Sequence, residues 1–130
     1  MEKEKSKILV LVADDEANLL LLLKDNFEEY GFEVITAVNG EEALQKTIAE
    51  KPNMIILDVE MPKLNGFQVC ERIRQNPNFK DVPILIFSAY TQPEDIKKGL
   101  ALGADDYVTK PFKIKYLIAT VLSLFHKYQK

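Results

Sequence analysis

Polar and charged side chains stand directly after apolar runs of this sequence. Asp14 and Asp15 follow the run KILVLVA, and Asp58 follows MIIL. Ser88 follows VPILIF, and Lys110 follows the short segment DYVT. A charged group at the end of a buried segment is costly unless another group compensates it. These residues are therefore candidates for one functional site.

The residue types in this set suit a divalent cation beside a nucleophile. Clustered carboxylates repel each other by about 1–4 kcal/mol per pair at partly hydrated sites. Lys110 supplies one positive charge, and an all-oxygen site with room for water suits Mg²⁺. A cation, a lysine and a hydroxyl around a carboxylate are typical of phosphoryl transfer, in which the carboxylate itself can be the nucleophile.

The elements that would position these residues alternate along the chain. Near-continuous aliphatic runs predict buried strands, and apolar residues at steps of three and four predict helices. The predicted strands span 7–13, 32–37, 54–57, 82–89 and 106–109. The predicted helices span 18–30, 39–51, 66–75, 93–102 and 113–128.

This alternation predicts an α/β fold, a doubly wound parallel sheet with helices on both faces. Ligands bind at the carboxyl ends of the strands in such sheets, so the candidate residues are expected to meet at one edge. In the first helix the residues with helical spacing are Leu19, Leu22, Leu23, Phe27 and Tyr30. Leu21 is expected to point away from the sheet.

Composition indicates one cytoplasmic domain over residues 1–130, with a charged tail at 1–6. The net charge of −3 gives no support for nucleic-acid binding. The single cysteine, Cys70, excludes an internal disulfide and suits a reducing compartment. The start MEKEKSK is unlike a signal peptide, and no apolar stretch approaches the length of a membrane span. Cys70 is expected to be buried and His126 exposed.

Taken together, the motifs VADDE, IILDVEMPKLNG, IFSA and GADDYVTKPF, in this order and spacing, resemble the receiver domain of two-component response regulators. The resemblance covers essentially the whole chain. It implies the flavodoxin-like, CheY-like (βα)5 fold with strand order 2-1-3-4-5.

The resemblance also implies roles for the acidic residues. Asp58 matches the phosphoacceptor. Asp15 matches the acid that coordinates Mg²⁺ directly, Asp14 matches its neighbour, and Glu60 stands where the family uses a backbone carbonyl as a metal ligand. The expected cofactor is therefore Mg²⁺, for which Mn²⁺ can substitute.

Further roles follow from the resemblance at the other strand ends. Ser88 matches the hydroxyl that bonds a phosphoryl oxygen, helped by the Ala89 amide. Lys110 matches the lysine that pairs with the phosphoryl group, and the Lys110–Pro111 bond is expected to be cis. Tyr107 matches the aromatic switch, whose ring rotates into space that Ser88 leaves, changing the face of the fourth helix, fifth strand and fifth helix; the alternative is a plain packing role.

The resemblance implies a signalling domain that catalyses only its own phosphorylation and dephosphorylation. Its expected partner is a histidine kinase or a histidine phosphotransfer protein, with no nucleic acid or membrane bound by this chain, as a monomer or weak homodimer. Because the first helix carries such contacts in the family, Leu21 is hypothesised to help dock the kinase. The effector, and whether the chain is stand-alone or part of a longer regulator, are open.

Three alternatives compete with this interpretation. A haloacid-dehalogenase-like phosphatase also joins Asp, Ser or Thr, Lys and Mg²⁺, but its nucleophile usually follows the first strand in a D-x-D pattern. A flavodoxin-like cofactor-binding module is disfavoured by the acids of ADDEAN, since phosphate groups prefer helix N-termini without them. A receiver-like module that works without phosphorylation usually lacks some of the acids or the lysine, and none is missing here.

Overall fold

The computed structural model of the chain describes residues 8–128. The predicted tail at 1–6 and the first residue of the first predicted strand lie outside these residues. The strands are β1 (Leu9–Ala13), β2 (Glu33–Ala37), β3 (Met54–Asp58), β4 (Ile84–Ser88) and β5 (Asp106–Thr109). The helices are α1 (Ala17–Glu29), α2 (Gly40–Glu50), α3 (Gly66–Gln75), α4 (Pro93–Ala101) and α5 (Ile114–Tyr128).

All neighbouring strands pair in parallel, in the order β2-β1-β3-β4-β5. The predicted fold class and strand order are confirmed. The register pairs Asp58 with Phe87, and Ser88 with Thr109. The carboxyl ends of β3, β4 and β5 therefore lie side by side at one edge of the sheet.

Helices cover both faces of the sheet. Because side chains alternate along each strand, every strand contributes residues to the cores on both faces. On β3, Ile55 and Leu57 belong to the core beneath α2, α3 and α4. Met54 and Ile56 belong to the core beneath α1 and α5. This double coverage explains why the three central strands, β1, β3 and β4, are apolar up to their final residues.

The buried stripe of α1 differs from the predicted one. Leu20, Leu23 and Phe27 are the buried residues of the helix. Leu22 is 48% exposed and Tyr30 is also exposed, so their inclusion in the predicted stripe was wrong. Each residue advances about 100° around a helix, so Leu22 lies about 130° away from the centre of a stripe formed by positions 20, 23 and 27. Leu21 is 59% exposed, as expected.

The helix ends lie within one residue of the predicted positions, and side chains and glycines fix several of them. Asn39 caps α2 by accepting a hydrogen bond from the Glu42 N–H at 2.7 Å. Gly31 follows α1 with a φ of +96°, a conformation that glycine adopts without strain. A short 3₁₀ turn at Pro77–Phe79 was not predicted.

The two lone residues of interest lie where they were expected. Cys70 is fully buried, and burial raises the pKa of its thiol to about 11, which makes the thiolate scarce. His126 is exposed near the end of α5. Among residues 8–128, no helix combines the length and the apolar character that crossing a membrane requires.

Candidate functional site

Three carboxylates converge at the carboxyl edge of the sheet. Asp14 and Asp15 follow β1, and Asp58 is the last residue of β3. One oxygen from each of the three lies within 4.8 Å of the others. The parallel pairing of β1 with β3 brings these residues together across more than forty positions of sequence.

Asp58 is almost fully enclosed, at 2% exposure, as is Asp14 at 1%. Its Oδ1 lies 3.4 Å from Lys110 Nζ but accepts no hydrogen bond from any described residue. Burial, and then the Asp14 carboxylate, raise the pKa of Asp58 from 3.8 to about 6, against the opposing effects of Lys110 and the Glu60 amide. The described side chains therefore neutralise the Asp58 charge only in part.

Lys110 reaches back from the end of β5 to both buried acids. Its Nζ lies 3.1 Å from Asp14 Oδ2 and 4.8 Å from the centre of the Phe87 ring. Burial lowers the pKa of Lys110, but the Asp58 and Asp14 carboxylates outweigh that effect and raise it overall. The backbone N–H of Lys110 donates to Ser88 O at 2.7 Å, and the Lys110–Pro111 bond is cis, as predicted.

The two acids after β1 have different surroundings. Asp14 is buried, and its Oδ1 accepts a hydrogen bond from the Glu16 N–H at 2.8 Å while Oδ2 faces Lys110. Asp15 is exposed and lines an open cleft of about 610 Å³. The buried acid is thus held by the protein, and the exposed acid faces solvent.

The loop after β3 is shaped by a close backbone contact. The Gly66 N–H donates to Val59 O at 2.9 Å. A Cβ at position 66 would overlap the Asp58 carbonyl group, with Asp58 C at 2.9 Å. Only glycine permits this approach, which fixes the start of α3 against the end of β3. Glu60, in this loop, is exposed and lines the same cleft.

Ser88 and Tyr107 meet at the backbone of Tyr90. Ser88 is fully buried, and its Oγ accepts a hydrogen bond from the Tyr90 N–H at 2.9 Å. The Tyr107 ring is 9% exposed, and its hydroxyl donates to Tyr90 O at 2.8 Å. Burial is the main cause that raises the pKa of the Tyr107 hydroxyl, so it remains a donor at neutral pH.

A hard divalent cation fits the donor set. The cluster offers carboxylate oxygens within 4.8 Å of one another, and Asp58 Oδ1 is buried with no hydrogen-bond donor among residues 8–128. The neighbouring cleft is open, which leaves space for water ligands. Such all-oxygen sites with water access suit Mg²⁺.

Two residues that sequence reasoning did not select also line the cleft. Asp95 and Lys98 face it from α4. Lys98 Nζ lies 4.8 Å above the Phe67 ring, and Asp95 Oδ2 accepts from the Gln92 N–H at 3.2 Å. They could have been found from the sequence, because two charged residues stand one turn apart on the helix that follows β4.

Comparisons with known proteins agree with this geometry. Residues 10–122 match the response regulator receiver domain. The chain is 46% identical over 118 residues to the alkaline phosphatase synthesis transcriptional regulatory protein PhoP of Bacillus subtilis, with 91% of this chain and 48% of that protein covered. It is 45% identical over 130 residues to the probable transcriptional regulator ycf27 of Pyropia yezoensis, with coverage of 100% and 51%.

Solved structures give the same result. The receiver domain of the Francisella response regulator 1452 superposes with a TM-score of 0.89 at 35% identity, covering 95% of this chain and 100% of that one. Chemotaxis response regulator CheY4 of Vibrio cholerae gives 0.87 at 33% identity, with coverage of 92% and 99%. The chain spans about half the length of the curated relatives it matches. With the family match extending over residues 10–122, the chain belongs to the response regulator receiver domain family.

Proposed function

We propose that this chain accepts a phosphoryl group on Asp58 from a phosphohistidine of a histidine kinase or a histidine phosphotransfer protein. One observation carries the proposal. Asp58 Oδ1 is a buried carboxylate oxygen with no hydrogen-bond donor among the described residues, and a single ammonium lies 3.4 Å away. An oxygen in this state is available as a nucleophile once cations balance its surroundings.

In the proposed step, an Asp58 oxygen forms a bond to phosphorus while the phosphorus–nitrogen bond of phosphohistidine breaks. The electron pair of that bond stays on the imidazole nitrogen. Lys110, which now lies between Asp14 and Asp58, would pair with a phosphoryl oxygen, and the Ser88 hydroxyl and Ala89 amide would donate to others. Attack of water on the acyl phosphate would later restore the carboxylate.

Mg²⁺ would be held by Asp14, Asp15 and Asp58, with the Glu60 backbone carbonyl as a further ligand. When bound, it supplies positive charge that neutralises the clustered carboxylates and the phosphoryl oxygens. The protein residues position the reacting oxygen and exclude most of its solvent.

Phosphorylation would act on the output face through Ser88 and Tyr107. Ser88 would turn its hydroxyl from Tyr90 toward the phosphoryl group, and the ring of Tyr107 would be stabilised in its buried position. The face formed by α4, β5 and α5 would then change its affinity for partners. This is a population shift between two packings of the same face.

Docking of the phosphohistidine donor would use an apolar groove beside the site. The groove, of about 440 Å³, is lined by Leu19, Leu22, Phe112 and Ile114 next to Lys110. Leu21, on the same helix, is exposed but does not line it. We propose that the donor contacts the exposed Leu21 as well as this groove, so we expect Leu21→Ala and Leu22→Ala each to slow transfer from a kinase that phosphorylates the wild type, with unchanged labelling by acetyl phosphate. An unchanged transfer rate would contradict this docking site.

The proposed function is tested by intact-mass measurement after incubation with acetyl phosphate. We expect one phosphoryl adduct with Mg²⁺, none with EDTA and none in Asp58→Ala. The matched control is Asp81→Ala, an exposed acid before the start of β4, at the other end of that strand from Ser88, which should label like the wild type. Absence of any adduct in the presence of Mg²⁺, or an equal adduct in Asp58→Ala, would refute the proposal and favour a module that works without phosphorylation.

A further inference from the structure

The ring of Tyr107 packs against the backbone of α4 at Gly99, the one buried residue of that helix. We propose that Gly99 is a positioning residue for Tyr107: its missing side chain provides the space in which the ring stays buried. A side chain at position 99 would displace the ring toward solvent. The functional meaning of this displacement rests on the proposed switching of the output face, but the displacement itself does not require phosphorylation.

Three side chains from three different elements enclose Gly99. A Cβ built at this position would lie 3.1 Å from Tyr107 Cδ2, 3.2 Å from Ile86 Cδ1 and 3.4 Å from Phe67 Cε1. Carbon atoms in ordinary contact stay about 3.5–4.0 Å apart. An added methyl group therefore requires at least one of these neighbours to move.

Of the three neighbours, Tyr107 has the most room to move. Ile86 is fully buried in the middle of β4, and Phe67, on the buried side of α3, is 5% exposed. The Tyr107 ring, in contrast, borders a surface cavity of about 540 Å³ that is also lined by Ile96, Phe112 and Tyr116. Rotation about its side-chain bonds would move the ring into this cavity without disturbing the sheet.

The buried ring position is also tied to the phosphoryl-accepting edge. The Tyr107 hydroxyl donates to Tyr90 O, and the Tyr90 N–H donates to Ser88 Oγ. A ring that leaves its place loses its hydrogen bond to the segment that Ser88 also contacts. Gly99 thus controls, from α4, whether the Tyr107 side chain keeps its hydrogen bond to the segment that follows β4.

The experiment measures ring exposure in the unphosphorylated protein. The chain contains five tyrosines, so 3-fluorotyrosine labelling gives a small set of ¹⁹F NMR signals, and Tyr107→Phe assigns the relevant one. A soluble gadolinium reagent broadens the signals of exposed rings. We expect the Tyr107 signal to be strongly protected in the wild type and, in Gly99→Ala, to broaden clearly more than in the wild type but less than that of the exposed Tyr116. The control Lys97→Ala, at an exposed position of the same helix, should leave Tyr107 protected.

A second measurement covers the case in which Gly99→Ala folds poorly. Alanine favours a helix more than glycine does, so without a clash Gly99→Ala should raise the melting temperature. We expect it to lower the melting temperature of the wild type but to raise that of Tyr107→Ala, in which the ring is absent. Unchanged protection of Tyr107 in Gly99→Ala, or the same shift in melting temperature in both backgrounds, would overturn the proposal. Neither of these measurements uses a phosphoryl donor. A failure of the acetyl phosphate experiment would therefore not change the result for Gly99.

Discussion

The carboxyl group of Asp58 has a pKa raised from 3.8 to about 6, because burial and the neighbouring Asp14 carboxylate disfavour its charged form. The folded protein therefore binds this proton more tightly than the unfolded chain does. The resulting stabilisation is complete below pH 3.8 and is lost as the pH rises through about 6. Its full size is about 3 kcal/mol.

The first prediction concerns this pH dependence. In EDTA, raising the pH from 4 to 7 should change the unfolding free energies of the wild type and of Asp58→Asn by different amounts. The unfolding free energy of the wild type should fall by up to about 3 kcal/mol relative to that of Asp58→Asn, because the asparagine at position 58 cannot ionise. Urea unfolding of both proteins at the two pH values measures the difference. Parallel pH dependences would mean that the Asp58 charge is already well stabilised in the fold.

A second prediction at this scale concerns Lys110. Its ammonium lowers the pKa of Asp58, so its removal should raise that pKa above 6. Carbon-13 NMR titration of the aspartate carboxyl groups in Lys110→Ala measures the shift. Lys115→Ala, at an exposed position of α5, serves as the control and should leave the Asp58 titration unchanged. A lowered or unchanged pKa in Lys110→Ala would contradict the role assigned to the ammonium.

The types of the site residues could be predicted from the sequence, but their surroundings could not. Strand ends and charge repulsion were enough to select Asp14, Asp58 and Lys110. The position of Lys110 over the Phe87 ring and the different exposures of Asp14 and Asp15 depend on side-chain packing at the sheet edge. Spacing along the chain carries no information about such contacts.

Among the secondary-structure elements, a partly buried arginine joins α3 to the loops that flank β4 and β5. Arg74 donates to Gly103 O at 2.9 Å and to Phe79 O at 3.0 Å, and it pairs with Asp105 Oδ2 at 3.0 Å. The same Asp105 oxygen accepts from the Ile84 N–H at 2.8 Å. This network anchors the start of β4 and the approach to β5, at the opposite edge of the sheet from Asp58.

The third prediction follows from that network. Arg74→Ala should destabilise the fold by about 2–3 kcal/mol, because several buried acceptors lose their donor at once. Chemical denaturation measures the loss, and Arg72→Ala, which is exposed on the same helix, should change stability by less than about 0.5 kcal/mol. Labelling by acetyl phosphate under conditions where both variants are folded should match the wild type. Loss of labelling in folded Arg74→Ala would show that the network also supports the site.

The elements themselves were predictable because each is marked locally. Aliphatic runs indicated the strands, and apolar residues at steps of three and four indicated the helices; the bounds differ by one or two residues at most. The buried stripe of α1 was less predictable, since the run from Leu19 to Leu23 offers several apolar faces. Contact with β1, β2 and α5, and not helical spacing, selects Leu20, Leu23 and Phe27 from it.

At the scale of the whole molecule, the parallel sheet explains why residues distant in sequence form one site. Each crossover returns the chain to the same edge, so every strand delivers its final residue there. The alternation of strands and helices predicted this convergence, whereas the strand order 2-1-3-4-5 came from the resemblance to a family. Hydrogen bonds among Ser88, Tyr90 and Tyr107 connect the end of β4, at the same edge as the acidic cluster, to the side chain of β5 that packs against α4.

The proposed function depends on one nucleophile: a carboxylate oxygen of Asp58 accepts the phosphoryl group. Borohydride reduces an aspartyl phosphate to homoserine, so treatment after acetyl phosphate and Mg²⁺, followed by peptide mass spectrometry, identifies the modified residue. We predict homoserine at position 58 and nowhere else. Homoserine at Asp14 or Asp15, or a phosphate on Ser88 with position 58 unchanged, would contradict this account.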